Sequence, residues 1–385
     1  MREKLPINPE TLRWARESAN ILLEDVALKM KREVSIIENW EAGASSPTYV
    51  QLEKLAYEVY KRPIAVFFLP TPPSEETPQR LFRTLPESEI SELPPRFLRL
   101  FRKAQAMQIN LEEINDGINP FPRKIFEDII FTPSVSLQEM VRIVREYLNV
   151  DLQTQIGWNN TDLALKEWRK AIEAKGVFVF KDAFRLEDIS GFCLYDKQFP
   201  VIYLNNSTPN TRQIFTLFHE LPHLLFRISG IDLKNEAFLR KIGGENKQIE
   251  VLCNKFAGEF LVPSDDFRQS VRNTHIDDRL VEQLANRYKV SREVILRKCL
   301  DKNLVSQDYY ETKSAEWSAE ARKRMQERKG GDYYLNTVAY LGENYLNAVF
   351  NKYYQGRFPI EQLADYLGVK LSSISGLEQT LLSKG

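Results

Sequence analysis

The chain has 385 residues, and its 53 Lys and Arg balance 53 Asp and Glu, so it carries no net charge at pH 7. That balance argues against a broad electrostatic footprint for nucleic acid or anionic membrane, and no apolar run approaches the roughly 20 residues of a membrane helix. There is no charged-then-apolar leader, and the three widely spaced cysteines Cys193, Cys253 and Cys299 predict reduced core thiols in the cytoplasm.

Length alone predicts two or three domains. At the start, Asn8-Pro9-Glu10 reads as a helix N-cap with proline at the first helical position. It predicts an opening helix over 12–21, a second over 23–30 and, after a tight turn, a third over 34–41. Gly43, Pro47-Thr48 and the run from Leu52 to Ala56 complete the pattern. Residues 1–70 thus resemble the Cro/repressor-type (XRE) helix-turn-helix. The resemblance implies operator DNA as a partner, with Lys29, Lys31, Arg32 and Ser35 as the candidate contacts. Ten basic residues nevertheless face ten acidic ones over 1–70, and DNA affinity rests heavily on phosphate neutralisation. Docking onto a protein, or pairing of two copies in a homodimer, is the alternative use of such a unit.

Residues 71–94, which follow Pro70 and open with Thr71-Pro72-Pro73, read as a stiff proline-rich linker. Amphipathic helices are expected over 96–114 and 137–148, at the head of a domain spanning 95–313. Within it, three β-rich runs, 176–180, 189–195 and 201–204, lie between Asp, Lys, Asn and Pro turn signals. An apolar helix from Arg212 follows. Strands followed by such a helix suit a small α+β hydrolase core, in which an edge strand can pair with an extended peptide.

That helix runs into His219-Glu220-Leu221-Pro222-His223, which holds two of the three histidines in the chain. The i, i+4 spacing puts both imidazoles on one helix face, and Glu220 follows the first of them where a carboxylate can serve as base. A catalytic zinc takes three protein ligands. The best candidate for the third is Glu250, on a second helix that Pro263 ends. Its face also carries Asn254, a candidate to orient a ligand histidine, together with Ala257 and Leu261. Glu259 lies about half a rotation away. A solvated helix carboxylate is the plain alternative for Glu250, and a core thiol is the reading of Cys253. His275 and Tyr203 are candidates to stabilise an oxyanion, although His275 sits in a polar run typical of a surface loop.

The segments Ile189-Ser190-Gly191, Pro200 to Asn205, Phe215 to Glu220, and Glu250 through Pro263 resemble the ImmA/IrrE family of zinc-dependent metallopeptidases over about 140–310. In that family a helix-turn-helix is found fused in front of the peptidase. The resemblance implies His219, His223 and Glu250 as metal ligands and Glu220 as catalytic base. It also implies cleavage of a specific partner, a transcriptional repressor, with Zn2+ as cofactor; the ligand set also accepts Mn2+. Pro222 departs from the small residue common before the second histidine. A proline inside a helix costs about 3 kcal/mol unless the helix kinks, so a kink is expected here. A DNA-binding transcription regulator, or the antitoxin of a toxin-antitoxin pair with a toxin as partner, is the non-proteolytic alternative.

Toward the C-terminus, 314–331 reads as a polar linker ending in Lys329-Gly330-Gly331, and 332–385 as a helical module that sets oligomerisation or partner choice. The segments 281–291 and 360–369 faintly echo the helix-turn-helix pattern. The expected class is therefore multi-domain and mostly α: an all-α unit, an α+β zincin-like core and a helical tail.

Overall fold

A computed structural model describes residues 5–75, 82, 93–132, 134–233, 244–326 and 331–383. The chain divides into two compact units, Met1–Lys103 and Ala104–Gly385. Among the described residues it is mostly helical, with one four-stranded mixed sheet.

In the first unit, α1 (Pro9–Glu17) starts where the Asn8 side chain accepts the Glu10 N–H. It stops four residues short of the expected Ile21, because Asn20 takes a left-handed conformation, φ 51°, as asparagine readily does near a helix end. Next come α2 (Leu23–Met30) and α3 (Val34–Glu41), and the left-handed Lys31 begins the turn between them. A capping box at Thr48 and Gln51 starts α4 (Tyr49–Lys54), which continues into a π-helical stretch, Leu55–Tyr60. The core gathers Leu12, Val26, Ile37, Leu52 and Phe67. Two ion pairs tie this unit together. Arg16 grips the buried Glu41 at 2.7 and 2.8 Å, and Arg62 holds Glu75 at 2.6 and 2.9 Å. The start of the stretch expected as a linker is therefore folded back; most of the rest of 71–94 lies outside the described residues.

Helix α5 (Pro95–Ile114) contains the boundary between the units. Beyond it come α6 (Ile125–Asp128), α7 (Leu137–Leu148), α8 (Leu152–Gly157) and α9 (Thr161–Glu173). The strands β1 (Phe178–Asp182), β2 (Ile189–Leu194), β3 (Val201–Asn205) and β4 (Gly230–Leu233) form a sheet of order β1-β3-β2-β4, with β1 and β4 at its edges. Only the β1–β3 pairing is parallel. Helix α10 (Asn210–Leu225) lies between β3 and β4 in sequence, and α11 (Gly244–Leu261) follows β4.

Every residue of β2 and β3 is buried, so both faces of the sheet need cover. One face presents Val179, Cys193, Ile202 and Leu204 to a core shared with Leu217, Phe218 and Leu221 of α10. In that core, Trp168 of α9 meets Phe218 at 4.7 Å and Phe260 of α11 at 5.4 Å between ring centroids. The opposite face carries Phe180, Phe192 and Tyr203, with Phe184 stacked on Tyr203.

The remaining helices are α12 (Ser264–Ser270), α13 (Asp278–Tyr288), α14 (Arg292–Asp301), α15 (Gln307–Gln326), α16 (Tyr333–Leu341), α17 (Glu343–Tyr354), α18 (Ile360–Leu367) and α19 (Ile374–Leu382). Two expectations change here. Residues 314–326 form the larger part of α15 rather than a linker: Ala, Glu, Arg, Lys, Met and Gln are good helix formers, and Trp317 is buried. The C-terminal helices belong to the same compact unit as the sheet. Tyr345 of α17 sits edge-on to Phe180 at 5.2 Å, and Arg169 donates to the Ala339 carbonyl at 2.6 Å. They supply cover for the aromatic second face of the sheet.

Candidate metal centre

Helix α10 is buried from Thr216 through Leu225, and it carries His219, Glu220 and His223 into the interior. Pro222 does not break it: helix runs unbroken from Asn210 to Leu225, and Phe226 N–H still donates to the Pro222 carbonyl at 2.8 Å. Helix α11 brings Glu250 to the same point. His219 Nε2 lies 3.5 Å from Glu250 Oε2, and His223 Nε2 lies 3.6 Å from Glu250 Oε1. The two Nε2 atoms are 3.4 Å apart. Three donor atoms, two imidazole nitrogens and one carboxylate oxygen, thus lie within 4.8 Å of one another. None of His219, Glu220, His223 or Glu250 is more than 2 % exposed.

Buried polar groups are normally paired, and an orphan needs an explanation. Here, among the described residues, both oxygens of Glu220, Oε1 of Glu250 and Nδ1 of each histidine have no hydrogen bond of normal geometry, although the buried Cys193 thiol interacts with the Glu220 carboxylate. Burial pushes the Glu220 carboxyl up to about 7, a proton affinity suited to taking and returning a proton near neutral pH. His219 is pushed down by burial but raised further by Asp232 and Glu250, whereas Glu250 is pushed up by burial and pulled lower by the two imidazoles. The field at this point favours positive charge. Two nitrogens and a carboxylate, close together, buried and short of partners, fit a divalent metal, and zinc suits the donor set.

The other expected site residues fall elsewhere. Asn254 is half-buried and its side chain makes no hydrogen bond among the described residues. The face of α11 turned inward runs through Glu250, Cys253 and Ala257, so the i+3 position took the inner place and the i+4 position was rotated outward. Cys253 is buried and free, outside the donor group. Tyr203 points to the aromatic side of the sheet, opposite α10, because its neighbours Ile202 and Leu204 occupy the α10 side. His275 is exposed in the loop before α13. Neither joins the centre. Glu259 points away, as expected, and accepts from Lys298 Nζ at 2.8 Å and Ser264 Oγ at 2.7 Å. In the first unit Lys29, Lys31, Arg32 and Ser35 are all exposed around the α2–α3 turn.

Sequence reasoning missed β4. Its Gly230 lies against His223, where an added Cβ would come 2.6 Å from the ring carbons. Its Asp232 is buried, accepts from Arg212 and Thr216 of α10, each at 2.7 Å, and acts on His219 through its charge. The signal was slight: one four-residue run, with an acidic residue that reads as a turn.

Residues 172–300 match the model of the Peptidase_M78 family, the IrrE N-terminal-like domain. The matched stretch holds all three donors and Glu220, and it supports a metallopeptidase of the ImmA/IrrE kind. No curated protein matches the chain.

Proposed function

We propose that the chain is a regulatory zinc-dependent endopeptidase that cleaves a specific partner protein, a transcriptional repressor, in the cytoplasm. The observation that carries this reading is the convergence of His219, His223 and Glu250 from two helices beside the unpartnered Glu220. The three donors would hold the metal, which when bound supplies Lewis acidity that polarises a carbonyl and acidifies water. Glu220 takes the proton from the attacking water and returns it to the leaving amine; its raised proton affinity equips it for both transfers. The surrounding apolar side chains keep the local dielectric low, which strengthens each of these interactions.

The first unit would deliver the peptidase to its target, either by docking on the repressor or by binding the operator through Lys29, Lys31, Arg32 and Ser35. One observation favours a second reading, a non-proteolytic DNA-binding regulator or antitoxin with a structural metal. All four central side chains are closed off from solvent, so a peptide reaches them only after part of the surrounding structure moves.

Metal analysis of the purified chain, together with incubation against candidate repressors, separates the two. About one zinc per chain and a single cleavage, lost in Glu220→Gln while the metal stays, establishes the peptidase. Metal retained with a partner bound and never cut establishes the regulator.

A further inference from the structure

Strand β4 meets α10 at two points, and both bear on the metal donors. Gly230 offers His223 a flat seat, since a Cβ there would lie 2.6 Å from ring Cγ and Cδ2 and 2.9 Å from Nδ1. Two residues on, and hence on the same face of the strand, Asp232 accepts Thr216 Oγ1 at 2.7 Å and Arg212 Nη2 at 2.7 Å. Arg212 is held in turn by Ser190 of β2 at 2.8 Å through its Nε. Thr216 lies three residues before His219 on α10, and so on the same helix face.

The neighbouring strand is built to allow this. Gly191 of β2 stands opposite Asp232 in register, and a Cβ at that position would lie 2.5 Å from the Thr216 methyl. Its missing side chain gives the threonine room to reach Asp232. The carboxylate is 2 % exposed, so nothing in solvent competes for its two donors. Neither imidazole has a hydrogen-bond partner at Nδ1, so the contact usually used to fix the ring of a ligand histidine is absent among the described residues.

We propose that Asp232 is a positioning residue for the metal centre: through Thr216 it clamps the turn of α10 that carries His219, while Gly230 on the same strand fixes the ring of His223. This rests on the metal-centre reading above and extends it to residues that touch neither metal nor substrate.

The test uses the full-length chain stripped of metal and titrated with Zn2+ against a competing chelator, and separately with Co2+, whose visible bands report the ligand geometry. Asp232→Asn keeps the size of the side chain and removes its charge; Thr216→Val removes the hydroxyl at constant shape. Both are expected to weaken zinc binding about tenfold to a hundredfold and to shift the cobalt bands at saturation. Thr216→Ser is expected to restore the wild-type bands, and the threonine pair carries the test if Asp232→Asn does not fold. Wild-type bands at saturation in both Asp232→Asn and Thr216→Val overturn the proposal, whatever their affinity. A wild-type chain that takes up neither ion overturns the metal centre itself, so the two failures are told apart.

Discussion

Buried charge is handled differently in the ion pairs of the first unit and at the candidate centre of the second. In the first, Glu41 is buried yet held by two nitrogens of Arg16, and the buried Arg62 is matched by two oxygens of Glu75. Between α10 and α11, Glu220 is fully buried with neither oxygen paired, and Glu250 and both histidines carry unpaired atoms. Each such orphan costs about 1–3 kcal/mol. Carboxylate oxygens left without a partner, rather than burial, distinguish the candidate centre from the buried ion pairs around it.

The sharpest way to break this contrast is to remove a donor. His223→Ala and Glu250→Ala are each expected to abolish metal binding, measured as zinc per chain, and with it cleavage of any partner. Chelation of the wild type should lower its melting temperature to that of the variants. At a metal concentration about 100-fold above the dissociation constant, the stabilisation lost is about 2.7 kcal/mol.

The apolar wall around the centre provides a second test. Trp168 is wholly buried against Phe218, Phe260 and Trp158, so Trp168→Ala should cost about 3–5 kcal/mol in urea unfolding. If it costs under 1 kcal/mol, the packing described between α9, α10 and α11 is wrong.

The C-terminal helices provide a third test. Gly342 joins α16 to α17 at φ +86°, with the Arg169 guanidinium packed against it. Gly342→Ala combines backbone strain with a clash, and a loss of about 1–3 kcal/mol is expected. If the C-terminal helices formed a free module, the sheet would unfold at the wild-type denaturant concentration.

A paired carboxylate should behave more mildly. Burial pushes Glu259 up, but hydrogen bonds from Lys298 and Ser264 bring it below the ordinary carboxylate value. A depressed folded-state value means that its stabilisation is complete above the unfolded value, about 4.3, and fades as pH falls through the folded one. Glu259→Gln should therefore cost about 1 kcal/mol at pH 7 and nothing once both forms of the group are protonated. Urea midpoints from pH 7 down to pH 3 test this.

The smallest effect on stability is expected at the exposed α2–α3 turn. The double variant Lys29→Ala/Arg32→Ala should change unfolding free energy by no more than about 0.5 kcal/mol. If the first unit binds DNA, the same change should flatten the salt dependence of binding by about two phosphate contacts. Unaltered binding in a gel-shift titration points to protein docking instead.

Much of this was legible because local rules act on neighbouring residues. Asn8, Ser136 and Asp277 each cap the helix that follows, and α7 occupies its expected residues. The i, i+4 spacing of His219 and His223 puts both on one helix face wherever that helix packs, and α11 did bring Glu250 opposite them. Helix α11 also shows where periodicity ran out. Asn254 lies about 40° to one side of Glu250 and Cys253 about 60° to the other, and only packing against α10 decided that the thiol turned inward. The same holds for Tyr203, whose side of the sheet was fixed by the pairing of β3 with β1 and β2.

The sequence by itself determined the donor types, their helical spacing, the motif glutamate, and the helices of the first unit, since each depends on residues within about one turn of one another. Tertiary structure alone decided that β4 would be the edge strand beside α10, that Asp232 would reach Thr216, and that the C-terminal helices would cover the aromatic face of the sheet. Those arrangements join segments up to 165 residues apart, Phe180 to Tyr345, and they follow from which buried faces remain to be covered once the local elements have formed.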